Sequence, residues 1–194
     1  MKELELVKRI NGQAGRCVAA DFTLDGIARF GHLAFVLYGL WLWFGGRKED
    51  RTARRTAAVT ALIGVAACSL LSWGIGKLWQ RPRPFARDGR IWNFTGHKAN
   101  AAFPSNHTMN SAVIAAVMLQ HHMPGGKWLA AGSALLGFSR IFAGIHYPSD
   151  IFGGAAIALL VEGTLLVSRP VRRLAAGIAA ASVWTERLFL HRGR

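Results

Sequence analysis

The sequence predicts an all-α protein, a polytopic bundle of transmembrane helices, from two observations. The 194 residues are 52% hydrophobic, and the apolar residues form long uncharged runs separated by short charged segments. A helix needs roughly 20 mostly apolar residues to cross a membrane, because hydrocarbon satisfies no backbone polar group. The length suits one domain over residues 1–194.

Five apolar runs predict about five spanning helices, at residues 30–46, 56–76, 103–120, 128–145 and 151–168. The first two runs have no formal charge, the fourth contains Arg140, and the fifth contains Glu162. Trp residues near the ends of these runs are typical of membrane interfaces. The terminal segments, residues 1–26 and 174–190, indicate amphipathic or interfacial helices.

The positive charge is strong, with 24 Lys and Arg against 10 Asp and Glu and a net charge of +14. In a soluble protein this balance would indicate a nucleic acid partner. Here the basic residues lie between apolar runs instead of forming one stripe, which is typical of membrane loops. We therefore expect membrane lipids around the chain and no nucleic acid. The pattern predicts no oligomeric state.

Counting crossings brings three distant segments to one membrane face. Residues 77–102 join the second and third runs, and the fourth run returns to the face on which the third began. Residues 77–84, 104–107 and 139–150 are therefore expected to converge there.

Two of these segments suit an anion. The first carries Arg81 and Arg83, whose guanidinium forks match phosphate oxygens. In the second, Pro104 and Ser105 predict a helix start with free N–H groups, and His107 would lie in its first turn. Each segment alone also fits an alternative without catalytic function. The first could be a basic helix end near lipid headgroups, and the second an ordinary N-cap.

The third segment is the most specific. Arg140 lies in an otherwise uncharged run, where an ion is costly and usually functional. His146 ends that run, and Asp150 lies four residues later across a turn at Pro148. A carboxylate that accepts one ring N–H leaves the other ring nitrogen free to attack phosphorus. A salt-bridged turn without catalytic function is the alternative.

Together the three segments resemble the signature of the type 2 phosphatidic acid phosphatase superfamily. Its third motif is matched in full by Ser139, Arg140, His146 and Asp150, and its second by residues 104–107, with Asn in place of the usual Gly. The first motif appears as residues 83–84, and Lys77 stands one position closer to it than the family pattern has. Strong similarity covers about residues 73–160. Within the superfamily the chain is most similar to the bacitracin-resistance type of undecaprenyl-diphosphatase.

The resemblance implies a role for each residue. His146 would attack phosphorus with Asp150 orienting its ring, and His107 would protonate the leaving group. The phosphate oxygens would be held by the basic, hydroxyl and N–H groups of Arg83, Arg140, Ser105, Asn106 and Lys77. No metal and no other cofactor is expected, because the arginines supply the positive charge.

The implied reaction is hydrolysis of a lipid phosphate through a phosphohistidine, with undecaprenyl diphosphate as the preferred substrate. Phosphatidylglycerophosphate and phosphatidic acid are alternatives that use the same motifs. The loop at 47–55 holds five Lys and Arg and is predicted to be cytoplasmic. The six basic residues of 77–102 are discounted, because a phosphate site needs several of them. The site would then face the outside of a bacterial inner membrane.

Other functional classes fit less well. A membrane cytochrome would use His32, His107 and His146 as haem ligands, but it needs two histidines that face each other at mid-membrane. A rhomboid-like protease using Ser105 would leave Arg83, Arg140 and Asp150 without a role, and the Gly-x-Ser-Gly context of such a nucleophile is absent. A non-catalytic lipid-binding protein would tolerate the loss of His146.

Overall fold

The structure, a computed structural model, describes residues 2–192, with side chains up to residue 188. Within that range every regular element is a helix. In chain order these are α1 (Lys2–Asn11), α2 (Val18–Phe44), α3 (Arg51–Leu78), α4 (Pro84–Arg87), α5 (Asn106–Gln120), α6 (Gly126–Phe142), α7 (Pro148–Val167) and α8 (Arg169–Arg192). The all-α prediction is confirmed.

Three helices, α2, α3 and α7, are long and apolar enough to cross a membrane. The other two predicted runs became α5, with 15 residues, and α6, with 17. Both are shorter than the roughly 20 residues that a bilayer requires. The transmembrane bundle predicted from the sequence is therefore present, whereas the number of full crossings stays a prediction.

α2 begins earlier than predicted, so residues 18–26 are its first turns and not part of a terminal amphipathic helix. Charged residues interrupt the apolar run here, but they bond locally. Arg29 Nε donates to Asp25 Oδ1 at 2.7 Å, one turn away, and Asp21 Oδ2 accepts the Gly15 N–H at 2.8 Å. Such pairs stabilise a helix beyond the apolar stretch that predicted it.

α5 is the central helix and packs against α3, α6 and α7. Its buried side chains include Met109, Val113 and Val117. On α7, a Cβ added at Gly154 would lie 3.2 Å from the Ser105 carbonyl oxygen, so a glycine here lets the two helices approach closely. Small residues at helix contacts are typical of membrane bundles, in which packing replaces the hydrophobic effect as the force between helices.

α8 is held to the first turns of α3 by an ionic cluster. Glu186 accepts Arg51 Nη1 at 2.7 Å and Arg55 Nη2 at 2.8 Å, and Ser182 Oγ accepts Arg55 Nη1 at 3.1 Å. The cluster lies at the opposite end of α3 from Leu78. It therefore fixes α8 at the end of the bundle remote from the converging segments.

α1 packs across the connection between α6 and α7. Val7 is fully buried in a cluster with Ile91, Ile141 and Ile151. Asn11 is also buried, and its Nδ2 donates to the Phe142 carbonyl at 2.8 Å. The N-terminal helix is thus part of the structure that surrounds the converging segments.

Candidate active site

The ends of four helices meet on one face of the bundle: the last turns of α3 and α6, and the first turns of α5 and α7. The Ser105 N–H donates to the Asp150 carbonyl at 3.2 Å, which joins the starts of α5 and α7. The Phe85 N–H donates to the Gly144 carbonyl at 3.2 Å, which joins α4 to the end of α6. The convergence predicted from the crossing count is confirmed.

A cavity of about 780 Å³ opens among these helix ends. Its basic and imidazole lining comprises Lys77, Arg81, Arg83, His97, His107, Arg140 and His146. Along α3 the wall continues through Trp73 and Ser72 to Ser69. The cavity therefore combines a cationic end near the loops with a wall that descends along a spanning helix. Among the described residues, no group of three or more His, Cys, Asp or Glu side chains is placed to share a metal ion.

His146 lies at the cationic end, with each ring nitrogen facing a different group. Nδ1 is 3.4 Å from Asp150 Oδ2, at ion-pair distance but without a formed hydrogen bond, and Nε2 is 3.1 Å from Arg83 Nη1. Burial lowers the pKa of His146 to about 4; Asp150 opposes this shift, and the Arg83 and Arg140 cations add to it. The ring is neutral at neutral pH. Because an arginine can only donate, Nε2 carries the lone pair and Nδ1 the proton.

Gly144 shapes the backbone that presents His146. Its φ is +71°, in the left-handed region that favours glycine. A Cβ at this position would lie 2.5 Å from Cγ2 of Ile91, so the space is also closed to a side chain. The chain can therefore turn sharply between the end of α6 and the histidine.

Asp150 is fully buried in the first turn of α7, behind the histidine ring. Its Oδ2 also accepts the Tyr147 N–H at 2.8 Å, and its Oδ1 accepts Arg81 Nη1 at 2.6 Å. Sequence reasoning treated Arg81 as part of a phosphate-binding segment. The structure places its guanidinium on the carboxylate instead.

Arg83 is fixed by three neighbours besides the histidine. Nε donates to Asn100 Oδ1 at 2.9 Å, Nη2 to the Ala101 carbonyl at 3.0 Å, and Nη1 to the Ile145 carbonyl at 2.7 Å. Burial lowers the pKa of Arg83 to about 10, opposed by Asp150, so the side chain stays cationic at neutral pH. The guanidinium is thus held rigidly beside the nitrogen lone pair of the histidine.

Arg140 enters the cavity from the last turn of α6 and is 3% exposed. Nη1 donates to the Ala28 carbonyl of α2 at 2.5 Å. Nε finds no partner among the described residues although it is buried. A buried donor without a partner is costly unless a ligand completes it. The arrangement therefore suits an anion in the cavity.

The first turn of α5 contributes differently from the prediction at Ser105. This residue is fully buried, does not line the cavity, and its Oγ accepts Thr108 Oγ1 at 3.0 Å. Asn106 and His107 do line the cavity. The N–H groups at the start of a helix have no carbonyl four residues earlier, and the helix dipole adds positive potential there. The backbone of this turn, more than the Ser105 hydroxyl, is placed to receive an anion.

His107 and His32 form a pair on the α2 side of the site. Their ring centroids are 5.4 Å apart in an edge-to-face arrangement. His32 was not predicted as part of a phosphate site, because no spacing in the sequence of α2 relates this residue to His107 on α5.

Two further cavity residues complete the site. Lys77 is exposed in the last turn of α3 and lines the cavity, so its shifted spacing does not remove it from the site. His97, which sequence reasoning missed, comes from the loop before α5, and its Nδ1 lies 3.0 Å from the Lys98 carbonyl. Burial lowers the pKa of His97, opposed by that contact. A neutral imidazole in a long polar loop has no motif that could have revealed it.

The chain is similar in sequence to known proteins. A family model described as the PAP2 superfamily matches residues 57–174, which include every predicted site residue. Undecaprenyl-diphosphatase BcrC of Bacillus subtilis (strain 168) is 29% identical over 157 residues, 81% of this chain and 79% of that protein. Bacitracin transport permease protein BcrC of Bacillus licheniformis is 32% identical over 110 residues, 56% of this chain and 54% of that protein.

The fold is also shared with a solved structure. The crystal structure of Aquifex aeolicus LpxE aligns with a TM-score of 0.69 and 24% sequence identity, covering 87% of this chain and 96% of that one. At this level of identity the likeness concerns the arrangement of helices.

Proposed function

The chain belongs to the PAP2 superfamily and is a lipid phosphate hydrolase of the membrane, and we propose that its substrate is undecaprenyl diphosphate. The observation that carries the chemistry is His146, with one ring nitrogen on Asp150 and the other facing Arg83 in a cationic cavity. The choice of lipid is supported by the undecaprenyl-diphosphatase of B. subtilis, which aligns over most of both chains.

In the proposed complex the terminal phosphate enters between Arg83 and Arg140. It accepts hydrogen bonds from the Arg140 nitrogen that now has no protein partner and from the N–H groups that begin α5. Lys77 lies at the edge of the cavity, where it adds positive charge. Donors fixed before the substrate arrives stabilise the charge of the transition state without reorganising, which is the main source of catalysis in such sites.

The first chemical step transfers the phosphoryl group to the histidine. Nε2 of His146 forms a bond to the terminal phosphorus, and the bond between that phosphorus and the bridging oxygen breaks. His107, protonated next to the anionic phosphate, donates its proton to the bridging oxygen, so undecaprenyl phosphate leaves. Asp150 stabilises the positive charge that develops on the His146 ring by accepting its Nδ1–H.

The second step releases phosphate. A water molecule attacks the phosphorus, and His107, now neutral, accepts a proton from that water. The bond between phosphorus and Nε2 breaks, which returns His146 to its neutral state and frees inorganic phosphate. One residue thus serves as acid and then as base, as microscopic reversibility requires of a two-step hydrolysis.

The proposed location is a bacterial inner membrane, with the cavity on its outer face. The support is the charge of the loop at 47–55, which has five Lys and Arg, and of the start of α8, which has Arg169, Arg172 and Arg173. The loop precedes the first turn of α3 and the start of α8 follows the last turn of α7, whereas the cavity lies at the last turn of α3 and the first turn of α7. Short basic loops are preferentially retained in the cytoplasm.

Phosphate release from a panel of lipids tests the proposal. Purified protein in detergent, with excess EDTA, is assayed on undecaprenyl diphosphate, phosphatidylglycerophosphate and phosphatidic acid at matched mole fractions. We expect undecaprenyl diphosphate to give the highest kcat/KM and His146→Ala to abolish release. His121→Ala, which alters a histidine at the far end of α5, should keep wild-type activity.

Each of three results would contradict a different part of the proposal. Faster turnover of phosphatidylglycerophosphate or phosphatidic acid would identify another substrate. Wild-type release by a monodisperse His146→Ala protein would reject the nucleophile. Loss of activity in EDTA that Mg²⁺ or Zn²⁺ restores would reject a site whose charge is supplied by arginines alone.

A further inference from the structure

Arg81 lies behind the nucleophile, where its guanidinium connects two carboxylates. Nη1 donates to Asp150 Oδ1 and to Ser149 Oγ, each at 2.6 Å, and Nη2 donates to Glu3 Oε2 at 2.9 Å. The guanidinium carbon also lies 4.1 Å from the centre of the Tyr147 ring. Both terminal nitrogens are therefore occupied by the protein, unlike Nε of Arg140.

We propose that Arg81 and Glu3 are positioning residues for the phosphohistidine reaction, which balance the charge of the Asp150 carboxylate and keep it aligned on the His146 ring. This inference rests on the proposed function for the reaction that it serves. It assigns Arg81 to the carboxylate and not to the substrate phosphate, although the residue lines the same cavity as Arg83.

The burial of Asp150 is the physical reason. The carboxylate is fully buried, and a buried charge is costly unless a cation and hydrogen bonds compensate it. An uncompensated carboxylate would not stay in place behind the ring, and it would no longer hold His146 in the reactive tautomer. Arg81 prevents this by bonding to the oxygen that the histidine does not use.

Several other charged or titratable groups contact or act on Asp150 or its immediate neighbours His146, Tyr147 and Arg81. They are His146 and Tyr147 from the α6–α7 connection, Arg83 and Arg87 from α4 and the residue before it, Arg140 from α6, and Glu3 from α1. Within the described side chains, the cation that forms an ion pair with Asp150 is Arg81. Arg83 and Arg140 are directed to the cavity, so they act on Asp150 only at longer range.

Glu3 keeps the arginine in this position. Its Oε1 accepts the Ser149 N–H at 2.9 Å, and its Oε2 accepts Ser149 Oγ at 3.0 Å as well as Arg81. Burial raises the pKa of Glu3, but these hydrogen bonds outweigh burial and hold the pKa below its usual range. The carboxylate thus stays charged at neutral pH. The Glu3 carboxylate attracts the Arg81 guanidinium and so opposes the pull of a bound phosphate, which would otherwise draw Arg81 into the cavity.

The pH dependence of kcat/KM tests the role of Arg81. In Arg81→Met the buried carboxylate of Asp150 loses its ion-pair partner, so more alkaline conditions are needed for activity. We expect the acidic limb of the profile to move up by about 1–3 pH units, which is the usual effect of one neighbouring charge. Arg81→Lys, which keeps the charge, should restore most of the wild-type profile.

Inhibition by inorganic phosphate separates positioning from binding. If Arg81 serves Asp150, the inhibition constant of phosphate should change less than threefold in Arg81→Met. An unchanged acidic limb together with weaker phosphate inhibition would assign Arg81 to the substrate and overturn the proposal. A uniform loss of activity at every pH, with the limb in place, would also overturn it, because that is the result of altered packing alone.

Glu3 and Glu5 provide a matched pair on α1, which remains testable if Arg81→Met fails to fold. Glu3→Ala should lower kcat several-fold with KM nearly constant and move the acidic limb in the same direction. Glu5→Ala removes a carboxylate that pairs with Lys8 at 2.7 Å and does not contact Arg81 or Asp150. This variant should leave both kcat and the acidic limb unchanged. Equal behaviour of the two variants would overturn the role of Glu3.

All variants are compared on the lipid phosphate that the wild-type protein hydrolyses fastest, whichever lipid that is. A different preferred lipid would therefore correct the proposed substrate without affecting the test of Arg81. An inactive wild-type protein on every lipid would reject the proposed function itself.

Discussion

Three arginines at the site carry the same charge in three different surroundings. Arg83 donates to two carbonyl oxygens and one amide oxygen and faces the nucleophile, and Arg140 has a buried nitrogen with no partner among the described residues. Arg81 is held between two carboxylates. Their roles therefore depend on which acceptors the fold places around each guanidinium and not on charge alone.

His107 should matter more for a poor leaving group than for a good one. The leaving group of a monoester such as phosphatidic acid is an alkoxide, which needs a proton. The leaving group of a diphosphate is a stabilised lipid phosphate, which needs one less. We expect His107→Ala to lower kcat for phosphatidic acid at least tenfold more than for undecaprenyl diphosphate. Steady-state kinetics on both lipids give the comparison. Equal losses would show that His107 mainly positions the phosphate.

Much of the site could be predicted because its chemistry is local in sequence. His146 and Asp150 are four residues apart, and the same turn of chain brings them together. Ser105 was predicted as a phosphate ligand, but its hydroxyl packs on Thr108, since the direction of a small side chain depends on its neighbours. Glu3 was beyond prediction, because no spacing connects it with a residue such as Ser149, 146 positions later.

At the scale of elements, α1 acts as a brace for the loops that carry the site. Buried Asn11 accepts the Trp92 N–H at 2.8 Å and donates to the carbonyls of Trp92 and Phe142 at 2.9 and 2.8 Å. Lys8 adds an ion pair to Asp88 at 2.7 Å. The loop before α5 and the end of α6 are therefore both bonded to a helix that contains none of the predicted catalytic residues.

Asn11→Ala should destabilise the protein measurably. It leaves the buried Phe142 carbonyl without this partner, at a cost of about 1–3 kcal/mol for a buried unsatisfied group, and removes two part-buried bonds to the Trp92 backbone. Thermal unfolding in detergent, followed by intrinsic tryptophan fluorescence, should show a Tm several degrees lower. Gln13→Ala removes only an exposed bond to the Arg9 carbonyl and should unfold like the wild type. An unchanged Tm in Asn11→Ala would contradict the bracing role of α1.

The helices themselves were largely predictable, because each apolar run became one helix. The ends were not. α5 and α6 are shorter than a bilayer requires, since buried contacts within the bundle replace part of the apolar length. α2 extends into a charged segment whose Asp and Arg residues pair along the helix. Hydrophobicity reports burial in lipid or protein alike, so it locates a helix better than it locates the helix end.

Basic residues lie at both ends of the molecule. The cavity end carries buried Arg83 and Arg140 together with exposed Lys77 and Arg90, whereas the opposite end carries the basic loop at 47–55 and the ionic cluster of Glu186 with Arg51 and Arg55. Cations that a phosphate site needs are discounted when the charges of the two ends are compared. We therefore expect the opposite end to decide the topology.

Cysteine labelling in intact cells tests this orientation. With Cys17 and Cys68 replaced, a cysteine at Gly89 should react with a membrane-impermeant maleimide, because that position is exposed on the cavity side and has open space for a side chain. A cysteine at Lys127, between α5 and the body of α6, should react only after the cells are opened. The reverse pattern would place the cavity on the cytoplasmic face.

The wall of the cavity along α3 has a consequence for how substrate is supplied. From Lys77 to Ser69 the wall descends about 12 Å along the helix axis. A phosphate at the top can therefore remain attached to a chain that never leaves the hydrocarbon. Encounters then occur by lateral diffusion in two dimensions, and the rate follows the mole fraction of substrate in the bilayer. The substrate concentration per volume of solution matters little. Adding inert lipid lowers the mole fraction of substrate in the bilayer, and this slows turnover although the inert lipid does not bind the site.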